Sequence, residues 1–277
     1  MSEAVTSADA EISCRTVTQS EVDHYDEHGW AKLPGFISPE AVAALIAMAK
    51  ARMGEDGEGN SVAPIWQPFF NPEVTDGPDS PVLAPLMEGI GSNSRLLAQR
   101  HPGIGVRYFG DMFAVKLPVA RETGHPGAGA TYCHQDFINW GVDRSGGMTF
   151  WIALADLPEE SGTMSFYSGS HRLGVLGHYG TYREREGASL LDDYPDLPQR
   201  CAEAGPMSYR AGDATVHSVM LAHSAAENRT NDPRWAWIVM TNPADVRWTG
   251  APPEAYDTTG MKHLQLLDDR ARFPLIG

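Results

Sequence analysis

Cysteine is scarce in this chain. Cys14, Cys133 and Cys201 are the whole complement, odd in number and far apart. No disulfide framework is expected, and the reading is a reduced, cytoplasmic protein. Basic residues are also outnumbered, with 21 Lys and Arg against 36 Asp and Glu, for a formal net charge of −15. So acidic a chain makes a poor partner for nucleic acid or an anionic membrane. No apolar run approaches the ~18 residues of a membrane span. Residues 1–20 lack an apolar signal core and read as a disordered lead-in. What is present is ordinary for a globular protein, 42% hydrophobic and 21% charged. The 277 residues suffice for one large core, so residues 21–277 are expected to form a single domain.

The first part of the chain has helical punctuation. Val22 to Trp30 reads as a short helix. Ser38-Pro39-Glu40 supplies an N-cap, a proline at the first helical position and an acid at the positive end of the dipole. Val42, Leu45, Ile46 and Ala49 form the apolar stripe of that helix, which should stop near Gly54. Residues 54–80 read as a long loop, and Pro81 to Gln99 as another helix.

From about residue 105 the pattern changes to short strands bounded by Gly, Pro and Asp. Asp111–Leu117, Met148–Leu154, Thr163–Tyr167, Ala214–Leu221 and Trp235–Thr241 are the candidates. Trp235 and Trp237 read as core. Residues 172–206 look like a long excursion between strands. The fold expected is mainly β (α+β). Its core, at about 105–245, is a double-stranded β-helix of the jelly-roll, cupin-like kind, flanked by N-terminal helices.

Chemistry concentrates in two places. In His134-Gln135-Asp136, a strand would point the imidazole and the carboxylate to one face, where both can hold one cation. Cys133 would then face away, as a buried structural thiol. A third imidazole would complete a set of two histidines and one carboxylate, which leaves positions open on non-haem Fe(II). His217 and His223 are both available, six residues apart and on one face if a single strand carries them. The spacing to Arg234 and the adjacent Ser224 favour His223. His217 is then a core or pocket-wall residue on the substrate side. Arg234, at the start of the returning strand, can grip a carboxylate bidentately. Iron plus a buried arginine fork is what 2-oxoglutarate requires. Phe137 and Trp140 either line a substrate pocket or simply pack.

These motifs resemble the phytanoyl-CoA dioxygenase-like family of Fe(II)/2-oxoglutarate-dependent oxygenases. The likeness extends from Tyr25–Trp30 and Phe36–Glu40 through His134–Asp136, Trp151–Asp156, Glu160–Met164 and Ser168–Arg172 to Gly212–Arg234. It implies Fe(II), 2-oxoglutarate and O2. It further implies His134, Asp136 and His223 as iron ligands, with Arg234 on the cosubstrate. Trp151, Met112 and Lys116 fall where the family lines the cosubstrate. The chain departs from the pattern at Cys133, at Ser168 and after Pro118, all outside the metal motif. Halogenating relatives lack the carboxylate, so Asp136 implies oxygenation, most simply hydroxylation of an unactivated C–H bond in a small secondary metabolite. The competing classes are a cupin-type metalloenzyme that needs no oxoglutarate and a non-catalytic jelly-roll binding protein.

Overall fold

The computed structural model describes residues 11–58, 80–98, 103–121, 129–177, 189–253 and 256–277. Three helices precede the strands: α1 (Gln19–His28), α2 (Pro39–Met53) and α3 (Leu83–Leu97). Thr18 and Glu21 form a reciprocal capping box at the start of α1, and Gly29 closes it in the left-handed conformation at φ 81°. Ser38 caps α2 by accepting from the Ala41 amide, and Pro39 opens the helix, as the sequence predicts. Residues 11–20, expected within a disordered lead-in, are ordered, and residues 1–10 lie outside the described residues. Cys14 bridges to Ile37, and the Val17 amide bonds the Asn93 side chain, so residues from 11 onward are already part of the fold. Nearly all of the loop expected at 54–80 lies outside the described residues.

The strands are β1 (Trp30–Leu33), β2 (Val106–Lys116), β3 (Thr131–His134), β4 (Met148–Ala153), β5 (Met164–Tyr167), β6 (Glu203–Ala204), β7 (Ala214–Ser218), β8 (His223–Ala225), β9 (Arg234–Pro243) and β10 (Leu275–Ile276). They form a major sheet in the order β1-β7-β4-β9-β2-β10 and a minor sheet in the order β3-β8-β5-β6. From β2 to β5 the chain crosses to the other sheet at each step, and from β7 to β9 it does so again. That alternation is the jelly-roll winding the strand pattern predicts.

Alternation along β9 separates the two faces of the major sheet. Trp235, Trp237 and Val239 join the core beneath the helices, with Leu33, Leu45, Leu86 and Phe150. Each fully buried side chain of this size contributes about 1.5–3 kcal/mol. The opposite row, Arg234, Ala236, Ile238 and Met240, faces the space between the sheets. One polar group sits on the helix side. Asp111 is buried, and it accepts hydrogen bonds from Tyr108 Oη and Trp237 Nε1, each at 2.8 Å.

The excursion at 172–206 carries two one-turn helices, α5 (Leu190–Asp193) and α6 (Leu197–Arg200). They bring Leu190 and Leu197 onto Cys133 and Tyr167 at the back of the minor sheet. Cys133 is thus buried on the side away from the metal motif, as alternation predicts.

Candidate active site

Strand β3 stops at His134. Asp136 lies beyond it, at the N-cap of a one-turn helix α4 (Phe137–Trp140), with φ −64° and ψ −35°. The two residues therefore do not share a strand face, contrary to the sequence expectation. Gln135 makes the bend. Its Nε2 donates to the carbonyls of Gly174 at 3.0 Å and Met220 at 2.5 Å, and its Oε1 accepts from the Leu176 amide at 2.7 Å. The Gln135 side chain is fully buried and fixes the direction of its neighbour.

His217 and His223 likewise do not share a strand. His217 is on β7 in the major sheet, and His223 opens β8 in the minor sheet, because the chain turns between them. His223 stands opposite His134 in the β3–β8 pairing, with ring centroids 4.2 Å apart. The ligand atoms of His134, Asp136 and His223 all lie within 4.8 Å of one another. Nδ1 of His134 is 2.8 Å from the Tyr132 carbonyl, and Nδ1 of His223 is 2.9 Å from the Leu221 carbonyl. A carbonyl only accepts, so each Nδ1 carries the proton and each Nε2 lone pair is left for the cluster.

Electrostatics agree with a metal site. Burial, with repulsion from His217 and His134, holds His223 well below the usual histidine range, so it is neutral. Burial alone would raise Asp136. The imidazoles of His223, His134 and His217 around it outweigh that effect and hold the carboxyl well below its usual range. Neutral imidazoles beside an ionised carboxylate are what a divalent metal binds. Thr149 on β4, which sequence reasoning missed, donates to Asp136 Oδ2 at 2.6 Å. His217 is beside the cluster, with Nε2 3.4 Å from the same oxygen.

A second polar group lies at the end of the major sheet. Arg234 and Lys116 face each other in the β2–β9 register, and both are buried. Arg234 Nη1 donates to the Gly162 carbonyl at 2.7 Å, and its Cζ is 5.2 Å from the Trp151 ring centre. Its Nε is buried without a partner, and among the described residues no carboxylate pairs with it. Lys116 Nζ reaches the Ala226 carbonyl at 2.7 Å, Thr131 Oγ1 at 3.3 Å and the Ala225 carbonyl at 3.4 Å. Its three donors thus tie β2 to β3 and to the end of β8. Burial and the charge of Arg234 push Lys116 down to about 7. Burial also lowers Arg234, to about 10. Tyr209, not foreseen from sequence, completes the niche with its ring 5.0 Å from Trp151. Two buried cations and an orphaned guanidinium N–H fit an incoming carboxylate.

The remaining candidates separate. Met112 is buried on the same face of β2 as Lys116, opposite Ile238. Phe137 and Trp140 belong to an apolar cluster with Phe109, Val219 and Met240 beside Asp136, and Trp140 packs 4.5 Å from Phe109.

Residues 79–236 match the family model described as phytanoyl-CoA dioxygenase (PhyH). No curated protein sequence matches the chain. Among solved structures, the chain is similar to the non-heme alpha ketoglutarate dependent carbocyclase SnoK from nogalamycin biosynthesis. The TM-score is 0.72 at 23% identity, over 94% of this chain and 97% of that one. It is similar to the epimerase SnoN from the same biosynthesis, with a TM-score of 0.66 at 21% identity over 93% and 97%. It also resembles EctD from S. alaskensis with 2-oxoglutarate and 5-hydroxyectoine, with a TM-score of 0.65 at 17% identity over 96% of both chains. At these identities the likeness is one of fold.

Proposed function

The chain belongs to the phytanoyl-CoA dioxygenase family, and from that premise we propose which residues do its work and on what. It is an iron- and 2-oxoglutarate-dependent oxygenase. The ligands are His134, Asp136 and His223, a reading supported by their clustering, their tautomers and their donor chemistry. Iron bound there, with 2-oxoglutarate and O2, supplies the oxidising power to break an unactivated C–H bond, releasing succinate and CO2.

The chain's own residues do the positioning. Arg234 takes the far carboxylate of 2-oxoglutarate, backed by the Trp151 ring, with Lys116 adding its field from the facing strand. Met112 walls the same niche. Phe137 and Trp140 present an apolar wall beside Asp136, which suits a largely apolar skeleton and keeps water from the reacting carbon. His217 meets Asp136 and is assigned to the metal site instead of the substrate.

The substrate is a small molecule of a biosynthetic pathway, and the reaction a hydroxylation. Support comes from the structural neighbours, whose described roles are carbocyclase and epimerase in nogalamycin biosynthesis, and from 5-hydroxyectoine bound to EctD. Cys14, Cys133 and Cys201 are free thiols, and no helix among the described residues is long and apolar enough to cross a membrane. We infer the cytoplasm as its location.

The single observation that carries the reading is the partly buried cluster of His134, Asp136 and His223, with Arg234 on the inner face of the major sheet and no carboxylate paired with it among the described residues. The test is succinate formation from 2-oxoglutarate by the Fe(II)-loaded protein across a metabolite library. Asp136→Ala should abolish it. Full turnover by that variant would overturn the ligand assignment.

A further inference from the structure

The carboxylate of Asp136 is held differently at its two oxygens. Oδ1 lies 3.5 Å from His134 Nε2 and 3.6 Å from His223 Nε2. Oδ2 accepts from Thr149 at 2.6 Å and lies 3.4 Å from His217 Nε2. One oxygen therefore belongs to the ligand cluster, and the other to two side chains of the major sheet. We propose that His217, together with Thr149, is a positioning residue that confines Asp136 to the metal through Oδ1 alone. The inference rests on the metal site assigned above.

The setting of His217 supports this role. The residue is 1% exposed, on a strand flanked by β1 on one side and β4 on the other. Its ring packs 4.2 Å from His223 and 5.5 Å from Phe166, so it has little freedom to swing. Neither ring nitrogen makes a well-formed hydrogen bond, which is costly for a buried polar side chain, and the one polar approach is that of Nε2 to Asp136 Oδ2 at 3.4 Å. Oδ2 of Asp136 is an anionic acceptor a few tenths of an ångström beyond good hydrogen-bond length from Nε2. Protonated at Nε2, His217 gives that oxygen a second donor. It is not itself one of the clustered ligands, since it meets the oxygen that faces away from His134 and His223.

The consequence concerns vacant coordination positions. A carboxylate bound through one oxygen uses one position and, with two imidazoles, leaves three on a six-coordinate metal. Two oxygens of 2-oxoglutarate and one O2 need all three. Released from Thr149 and His217, Oδ2 is free to turn toward the metal and take one of them.

The experiment is anaerobic titration of the full chain with Co(II), read by its visible absorption bands. Wild type, His217→Phe, His217→Gln and Thr149→Val are compared, with far-UV circular dichroism and melting of each metal-free protein as the folding control. His217→Phe should weaken Co(II) binding about tenfold or more and move the bands, the range for loss of an outer-shell partner. His217→Gln places an amide N–H near the Nε2 position and should restore both. Wild-type affinity and bands in His217→Phe would overturn the proposal, as would a glutamine variant as weak as the phenylalanine one, which would mean that the ring only packs. If His217→Phe does not fold, Thr149→Val decides. Weaker binding with moved bands supports confinement of Oδ2, and unchanged binding refutes it. Failure of the wild type to bind Co(II) would instead sink the metal site itself, so the two failures are distinct.

Discussion

Asp111→Asn should make the protein more stable at neutral and alkaline pH. Asp111 is buried on the helix side of the major sheet, and Tyr108 and Trp237 are its hydrogen-bond partners. Burial pushes its pKa up to about 7 from 3.8, against those two hydrogen bonds and the field of Arg52. An unfolded chain gives up this proton near the lower value, and the folded protein holds it to the higher one. Between them the unfolded state binds fewer protons, so stability falls as pH rises from about 4 to about 7 and is level above that. A gap of roughly three pH units, at about 1.36 kcal/mol each, amounts to about 4 kcal/mol. Asparagine is isosteric, always neutral and still able to accept from Trp237 while donating to the Tyr108 oxygen. The assay is urea unfolding of both proteins at pH 4.5 and pH 8, followed by circular dichroism. The stability difference, variant minus wild type, should move in the variant's favour by several kcal/mol across that range. Taking the difference cancels the other carboxylates. A difference that stays constant with pH, or a variant less stable at pH 8, would refute the reasoning.

Three further outcomes are expected. Arg234→Leu should raise the 2-oxoglutarate concentration for half-maximal succinate formation by about a hundredfold, within the 2–5 kcal/mol range for truncating a buried charge partner; an unchanged requirement would place the cosubstrate elsewhere. Lys116 releases its proton in the folded protein near 7, so a carboxylate arriving at Arg234 should draw that proton back. Affinity for 2-oxoglutarate, measured calorimetrically, should therefore weaken as pH rises above about 7, and Lys116→Met should lose that dependence. The Cys14 and Cys133 thiols are pushed up to about 12 by burial, with Glu203 adding to the effect at Cys133. In the folded protein both should resist iodoacetamide at pH 8 and react only on denaturation.

Much of the winding was legible in the sequence because its signals are local. Ser38 and Pro39 announce a helix start without any tertiary information. The alternation from Arg234 to Thr241 separates a tryptophan face from the face that carries Arg234, Ala236, Ile238 and Met240. The site was legible as a set of residue types but not as an arrangement. A period-of-two argument assumes the strand continues, and what stops it after His134 is the Gln135 side chain bonding to Gly174, Leu176 and Met220, all distant in sequence. The same limit hid the roles of His217 and Thr149. Six residues between two histidines look like one strand face until the chain turns from one sheet to the other. Tyr209 and Thr149 carried no signal at all, since an isolated tyrosine or threonine in a β protein is ordinary.

The crossing of successive strands between the two sheets also bears on how the molecule comes into being. β1 is synthesised well before its partner β7, and β2 well before its partner β9. An emerging chain therefore has no sheet to complete until nearly all of the core is made, which favours slow, late closure. The metal ligands are divided in the same way, with His134 and Asp136 arriving long before His223. No nascent fragment ending before β8 contains the site. The complete set of iron ligands therefore exists only once β8 has been made, and the order of the chain itself keeps a half-built centre incomplete until then.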